Sequence, residues 1–159
     1  MDDVRIPQLG PRWTKGLSPL EVHVSLPTAD DLGRVPLLAS LDTLARERLA
    51  NRFDVAEYDN GDRIVAEGTP GNDLYVIDRG HATATQQGRG LLRLLGPGDF
   101  FGEIALLGKG QRTATITASS PMVVWVLHGD AIRALQAEFP EVAKELSTAM
   151  QDKLSAEWG

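Results

Sequence analysis

The chain has no cysteine. That excludes a disulfide framework and any thiolate chemistry, and it fits a reducing cytoplasm. Histidine is scarce: His23, His81 and His128 are the only three, far apart and in no ligand pattern. An enzyme built on a metal-bearing β-barrel needs clustered histidines and acids, so we expect no catalytic residue, no metal and no cofactor. No apolar run approaches the ~20 residues a membrane helix needs. Residues 1–10 are mixed and acidic rather than arranged as a signal peptide, so a membrane location is not expected. Basic excess is missing too. The formal net charge is −6, without the basic patch of a nucleic-acid binder. An acidic chain that takes up a small anion must do so with local groups, against an unfavourable background field.

What is present reads as an ordinary soluble domain. At 159 residues the chain is long enough for one domain with a real core. Pro7, Pro11, Pro19 and Pro27 break up the first stretch. Within it, Leu20, Val22, Val24 and Leu26 alternate with polar residues, a short strand signature, and Trp13 can anchor the arm. Thr28, followed by Ala-Asp-Asp, reads as a helix cap with acids in the first turn; this short helix stops near Val35-Pro36. A second helix over 42–52 has Asp42 or Ser40 as its cap. Leu41, Ala45, Leu49 and Phe53 recur every fourth residue and form its apolar face.

From Phe53 the pattern changes to short strands punctuated by glycine and proline turns, as in a sandwich or barrel. Strands are expected over 63–66, 74–77, 81–86, 91–95, 112–118 and 122–127. Leu74-Tyr-Val-Ile is almost continuously apolar, which implies cover on both faces. About eight strands result, consistent with a jelly-roll-like double sheet. Two helices follow. The first has Asp130 as its expected cap and Ile132, Leu135 and Phe139 as its stripe; the second opens on Pro140, which a first turn tolerates.

The chemistry gathers in Phe101–Thr115, F-G-E-I-A-L-L-G-K-G-Q-R-T-A-T. Gly102 lets backbone approach a ligand closely. Glu103 to Leu107 can form one short helical turn whose free N–H groups make an anion site. Arg112 adds a cation able to grip phosphate with two bonds, and Thr113 adds a hydroxyl. A carboxylate for sugar hydroxyls, with amides and a guanidinium for phosphate, suits a ribose phosphate. The other reading of the same residues is a surface turn in which Glu103 and Arg112 pair with each other.

The order G-E-I-A-L-L, a short loop, then R-T-A-T resembles the phosphate-binding cassette of cyclic nucleotide-binding domains. The turns Y-D-N-G-D, E-G-T-P-G-N-D-L-Y-V-I-D-R-G and G-P-G-D resemble that family as well, so the likeness covers about 35–154. The resemblance implies a mainly β fold: an eight-stranded jelly-roll-like β-barrel (about 53–127) with an N-terminal helix and two C-terminal helices (about 130–156). Residues 1–34 would form an arm with a short helix, and 35–159 the binding domain. It implies that Glu103 accepts from the ribose 2′-OH and Arg112 pairs with the cyclic phosphate. Backbone N–H groups of Gly102, Ile104, Ala105 and Ala114 would complete the cradle. The ligand would be cAMP or cGMP, with cAMP favoured. Thr113 does not decide between them, since its hydroxyl can bond a syn guanine while relatives with threonine also bind cAMP. Lys153, Leu154 and Trp158 are the candidates by position for a lid over the base. The C-terminal helices would be the moving part, with Leu106 acting on Ile132 or Leu135, and a partner or effector domain would meet residues 1–34 and those helices. A degenerate domain of the same fold, serving protein interaction, is the alternative.

Overall fold

A computed structural model gives the fold, describing residues 12–13, 26–69, 73–102 and 114–157, the first pair and the last six as backbone. Three short helices come first. α1 (Ala29–Gly33) begins at Thr28, whose hydroxyl accepts the Asp31 N–H at 3.2 Å while Asp31 accepts the Thr28 N–H at 2.9 Å. This reciprocal capping box satisfies two amides that the helix itself leaves free. α2 (Pro36–Ala39) was not expected: Pro36 sits at its first position, where a missing N–H costs nothing. α3 (Thr43–Ala50) is capped by Asp42, which accepts the Ala45 N–H at 2.8 Å. The Arg46 guanidinium reaches back to the Leu41 carbonyl, beyond the end of α2. Ser40, the other candidate cap, closes α2 instead.

Among the described residues there are nine strands: β1 (Arg12–Trp13), β2 (Asp54–Tyr58), β3 (Arg63–Val65), β4 (Leu74–Arg79), β5 (Ala82–Gln86), β6 (Gly90–Leu95), β7 (Phe100–Phe101), β8 (Thr115–Ala118) and β9 (Met122–Leu127). They make a five-stranded sheet in the order β1-β2-β9-β4-β7 and a four-stranded sheet in the order β3-β8-β5-β6. All pairings are antiparallel. Strands β2–β9 make up the expected number of about eight in a double sheet, although no range was expected for β2 or β7; among the described residues no ladder joins the two sheets into a closed barrel. β1 is an addition, in which the N-terminal arm pairs with β2. The strand expected at 20–26 falls at 20–25 outside the described residues, and Leu26 is not in a strand.

The five-stranded sheet has cover on both faces, as the unbroken apolar run in β4 implies. Tyr75 and Ile77 face the four-stranded sheet with Tyr58, Phe101, Ile116, Val124 and Val126. Leu74 and Val76 face the helices with Val55, Trp125, Leu127, Leu38, Leu49, Leu135 and Leu146. Neighbouring residues on one strand therefore serve two separate cores, as the period-two geometry of a strand requires.

α4 (Gly129–Glu138) and α5 (Pro140–Glu157) complete the outer core through Ile132, Leu135, Leu146 and Met150. The expected cap of α4 is corrected. His128 occupies the cap position, and Asp130 turns to solvent and pairs with Arg133. The acceptor for the Gly129 N–H is Asp73, before β4, at 3.0 Å. α3 is tied to the end of α4 by the Arg52–Glu138 ion pair and by Arg48, whose guanidinium lies 4.2 Å from the centre of the Phe139 ring.

At one end of the double sheet three connections cross side by side. Gly80, between β4 and β5, lies at φ +92° against Pro121 and Met122. His81 donates its N–H to Ser120 Oγ and accepts from the Ser119 N–H, both at 2.9 Å. The β2–β3 turn joins them, with Gly61 N–H to the Ala118 carbonyl and Ala118 N–H to the Asp62 carbonyl at 2.8 Å each. That end is pinned by backbone hydrogen bonds.

Candidate functional site

The opposite end carries the segment singled out in the sequence. β7 belongs to the five-stranded sheet, with Phe101 opposite Tyr75. β8 belongs to the four-stranded sheet, with Thr115 opposite Thr85. The two strands that flank the segment therefore belong to different sheets. Both of its anchors are placed. Gly102 follows β7 at φ +81°, a left-handed conformation that a side chain disfavours. Ala114 precedes β8 and is buried. Of the strand expected over 112–118, Thr115–Ala118 is observed as β8, and Arg112 and Thr113 lie outside the described residues.

The walls beside these anchors are tied by ring stacking and hydrogen bonds. Tyr75 and Phe101 stack with ring centres 4.8 Å apart and planes 6° from parallel. Thr115 Oγ1 accepts the Glu67 N–H at 2.9 Å, and Glu67 Oε1 accepts the Gln87 N–H at 2.8 Å. One carboxylate thus links the β3–β4 loop to the β5–β6 hairpin beside the start of β8. Toward the opposite end of the inner core, across from Met122, Tyr58 is buried. Burial, aided by Tyr75, Asp73 and Asp62, holds its phenol far above the ordinary tyrosine value, so it stays protonated and neutral.

Of the sequence-predicted site, Gly102 and Ala114 flank that segment. Glu103, Ile104, Ala105, Arg112 and Thr113, with Leu106, lie outside the described residues. Lys153 and Leu154 are helical residues of α5; their side chains, and Trp158, lie outside the described set as well. Ile132 and Leu135 are buried in the outer core. Sequence reasoning missed the Glu67 link and the position of His128 between two acids. Both depend on partners distant in the chain, which no local pattern encodes.

A family model described as "Cyclic nucleotide-binding domain" matches residues 55–139, more than half of the chain. The chain belongs to the cyclic nucleotide-binding domain family. The domain is 34% identical over 124 residues to the cAMP-dependent protein kinase regulatory subunit of Eremothecium gossypii, an alignment that covers 78% of this chain and 27% of that protein. It thus spans only about a quarter of that relative's length. Among solved structures, the N-terminal domain of a transcriptional regulator from Streptomyces coelicolor A3(2) superposes with a TM-score of 0.68 at 30% identity, covering 80% of this chain and 92% of that one. The regulatory domain of Toxoplasma gondii PKA, crystallised with cAMP, gives a TM-score of 0.66 at 26% identity, covering 78% and 48%. Among the described residues, no helix of the domain is long and apolar enough to cross a membrane.

Proposed function

We propose that this domain binds a cyclic nucleotide, cAMP in preference to cGMP, in the segment between β7 and β8, and signals occupancy by moving α4 and α5. The observation that carries this is the anchoring of the cassette. A left-handed glycine after the five-stranded sheet's β7 and a buried alanine before the four-stranded sheet's β8 bracket the stretch G-E-I-A-L-L…R-T-A in sequence. In that segment Glu103 takes the ribose 2′-OH and Arg112 the cyclic phosphate. Amides of Gly102, Ile104, Ala105 and Ala114 share the phosphate charge, and Thr113 lies beside the base. Lys153, Leu154 or Trp158 supplies the lid. The preference for cAMP is supported by the kinase regulatory subunits among its relatives and by the cAMP-bound Toxoplasma structure.

The polar ties of α4 to α3 and the residues after it, Arg52–Glu138 and Arg48–Phe139, are partly exposed and worth about 1 kcal/mol each; the larger hold on α4 and α5 is their buried apolar face, which any movement must repack. A ligand shifts them only by its differential affinity for the two arrangements. The domain is a sensor rather than a catalyst, with residues 35–159 as the binding unit and 1–34 as the arm that meets an effector or partner together with the C-terminal helices.

Calorimetric titration with cAMP and cGMP tests the reading. Two charge-assisted hydrogen bonds from Arg112 are worth roughly 3–6 kcal/mol. Arg112→Ala or Glu103→Ala therefore weakens binding at least about tenfold with an unchanged circular dichroism spectrum. Undiminished affinity in either variant would remove the site assignment. No heat with either nucleotide at an intact fold would leave only an interaction module of the same architecture.

A further inference from the structure

The junction between β9 and α4 holds a group that the nucleotide reading does not use. His128 is the last residue before α4, and its two ring nitrogens face two carboxylates. Nε2 lies 3.1 Å from Asp54 Oδ2, at the head of β2, and Nδ1 lies 3.5 Å from Asp73 Oδ2, before β4. The other oxygen of Asp73 accepts the Gly129 N–H that opens α4. One side chain thus connects two strands of the five-stranded sheet to the first amide of the first C-terminal helix.

A neutral imidazole has a single N–H, so one of these contacts then sets a lone pair against a carboxylate oxygen. The imidazolium donates to both. Asp54 and Asp73 are the charged groups that face the ring from the sheet side, and α4 begins at the next residue. Asp130 and Arg133, the nearby charges of α4 itself, pair with each other at the surface.

We propose that His128 is a positioning residue, a proton-controlled tie that sets how firmly α4 is held to the head of the sheet. The protonated ring draws Asp54 and Asp73 together and keeps Asp73 on the Gly129 amide; loss of the proton loosens one contact and frees the pivot. If the helices move on nucleotide binding, the same proton tunes affinity. That consequence rests on the proposed function, whereas the tie does not.

Amide hydrogen exchange by NMR on the full chain, without nucleotide and corrected for intrinsic rates, reads the tie directly. Between about pH 5 and pH 8, the range in which histidine changes charge, protection of the Gly129 amide should fall about three- to fivefold, as expected for partly exposed charge pairs. In His128→Gln it should be flat. Asp54→Asn, which leaves the Asp73 cap and the Nδ1 contact in place, should lessen the dependence without abolishing it, and decides the matter if His128→Gln does not fold. Equal pH dependence in wild type and both variants, or none in wild type, would overturn the tie. Calorimetry with cAMP at the two pH limits then reads the coupling: a pH-dependent affinity in wild type that vanishes in His128→Gln supports it, and an identical dependence in both refutes it. Absence of cAMP binding alongside pH-dependent protection would sink the nucleotide reading and leave the tie standing.

Discussion

Replacing Gly80 by alanine should be strongly destabilising, and its cost can be built from two terms. The first is conformational: at φ +92° a Cβ is strained, by about 1–2 kcal/mol. The second is steric. The new Cβ would lie 2.3 Å from the Pro121 carbonyl oxygen, 2.5 Å from Met122 Cβ and 2.7 Å from Met122 Cα. Two of the three obstacles are backbone, so no side-chain rotation relieves them. Strand β9 or the β4–β5 turn must shift, which costs roughly a further 1–3 kcal/mol. The total of about 2–5 kcal/mol is a large share of the 5–15 kcal/mol typical of a domain. It should lower the melting temperature by about 4–20 °C. Gly88→Ala is the control. Gly88 has φ +83° but nothing within 4 Å of its missing Cβ, so only the strain term of about 1–2 kcal/mol applies. Urea denaturation of both variants, extrapolated to water, isolates the clash as their difference. Equal losses in the two variants would refute the steric argument and with it the tight interlock of the crossing turns.

Three further outcomes are expected. Asp42→Ala removes the side chain that caps α3 and should cost about 1 kcal/mol in the same urea assay; a neutral result would show that the cap contributes nothing. Asp78 is held above the ordinary carboxyl value by burial, with Asp31 adding to the rise and Arg79 and Arg34 opposing it. The folded chain therefore binds that proton more readily than the unfolded one, and its contribution to stability is lost as pH rises through the folded-state value. Asp78→Asn should accordingly melt higher than wild type at neutral pH, with the gap closing below about pH 3, where an ordinary aspartate is already protonated; a gap independent of pH would contradict the burial assignment. Leu106→Ala should abolish the nucleotide-induced shift of α4 resonances in NMR, and an intact shift would remove Leu106 from the coupling.

Local signals were readable wherever a residue acts on its near neighbours. The caps at Thr28 and Asp42 were identified from a polar residue before an amphipathic run, and β9 runs over the expected 122–127. The two-sided cover of β4 followed from its lack of alternation. What escaped has a common cause. α2 is only four residues long, too short to show a period, and its Pro36 reads as a breaker until it is placed at a first turn. Asp130 resembled a cap because the true acceptor, Asp73, is 56 positions away. β1 could not be foreseen because a two-residue pairing depends on the edge offered by β2. For the site, Gly102 has a left-handed backbone and Ala114 is buried, while their part in a cradle rests on the motif. The roles of Glu103 and Arg112 rest on the motif and on the mutants proposed above.

Because adjacent positions along β4 and β9 look into different compartments, Tyr75 and Val76, or Trp125 and Val126, share a peptide bond while touching separate sets of side chains. Substitutions at odd and even positions there should be absorbed independently so long as the main chain stays still. Any event in the inner compartment large enough to displace that main chain will be felt at once beneath the helices, with no dedicated relay of side chains between them.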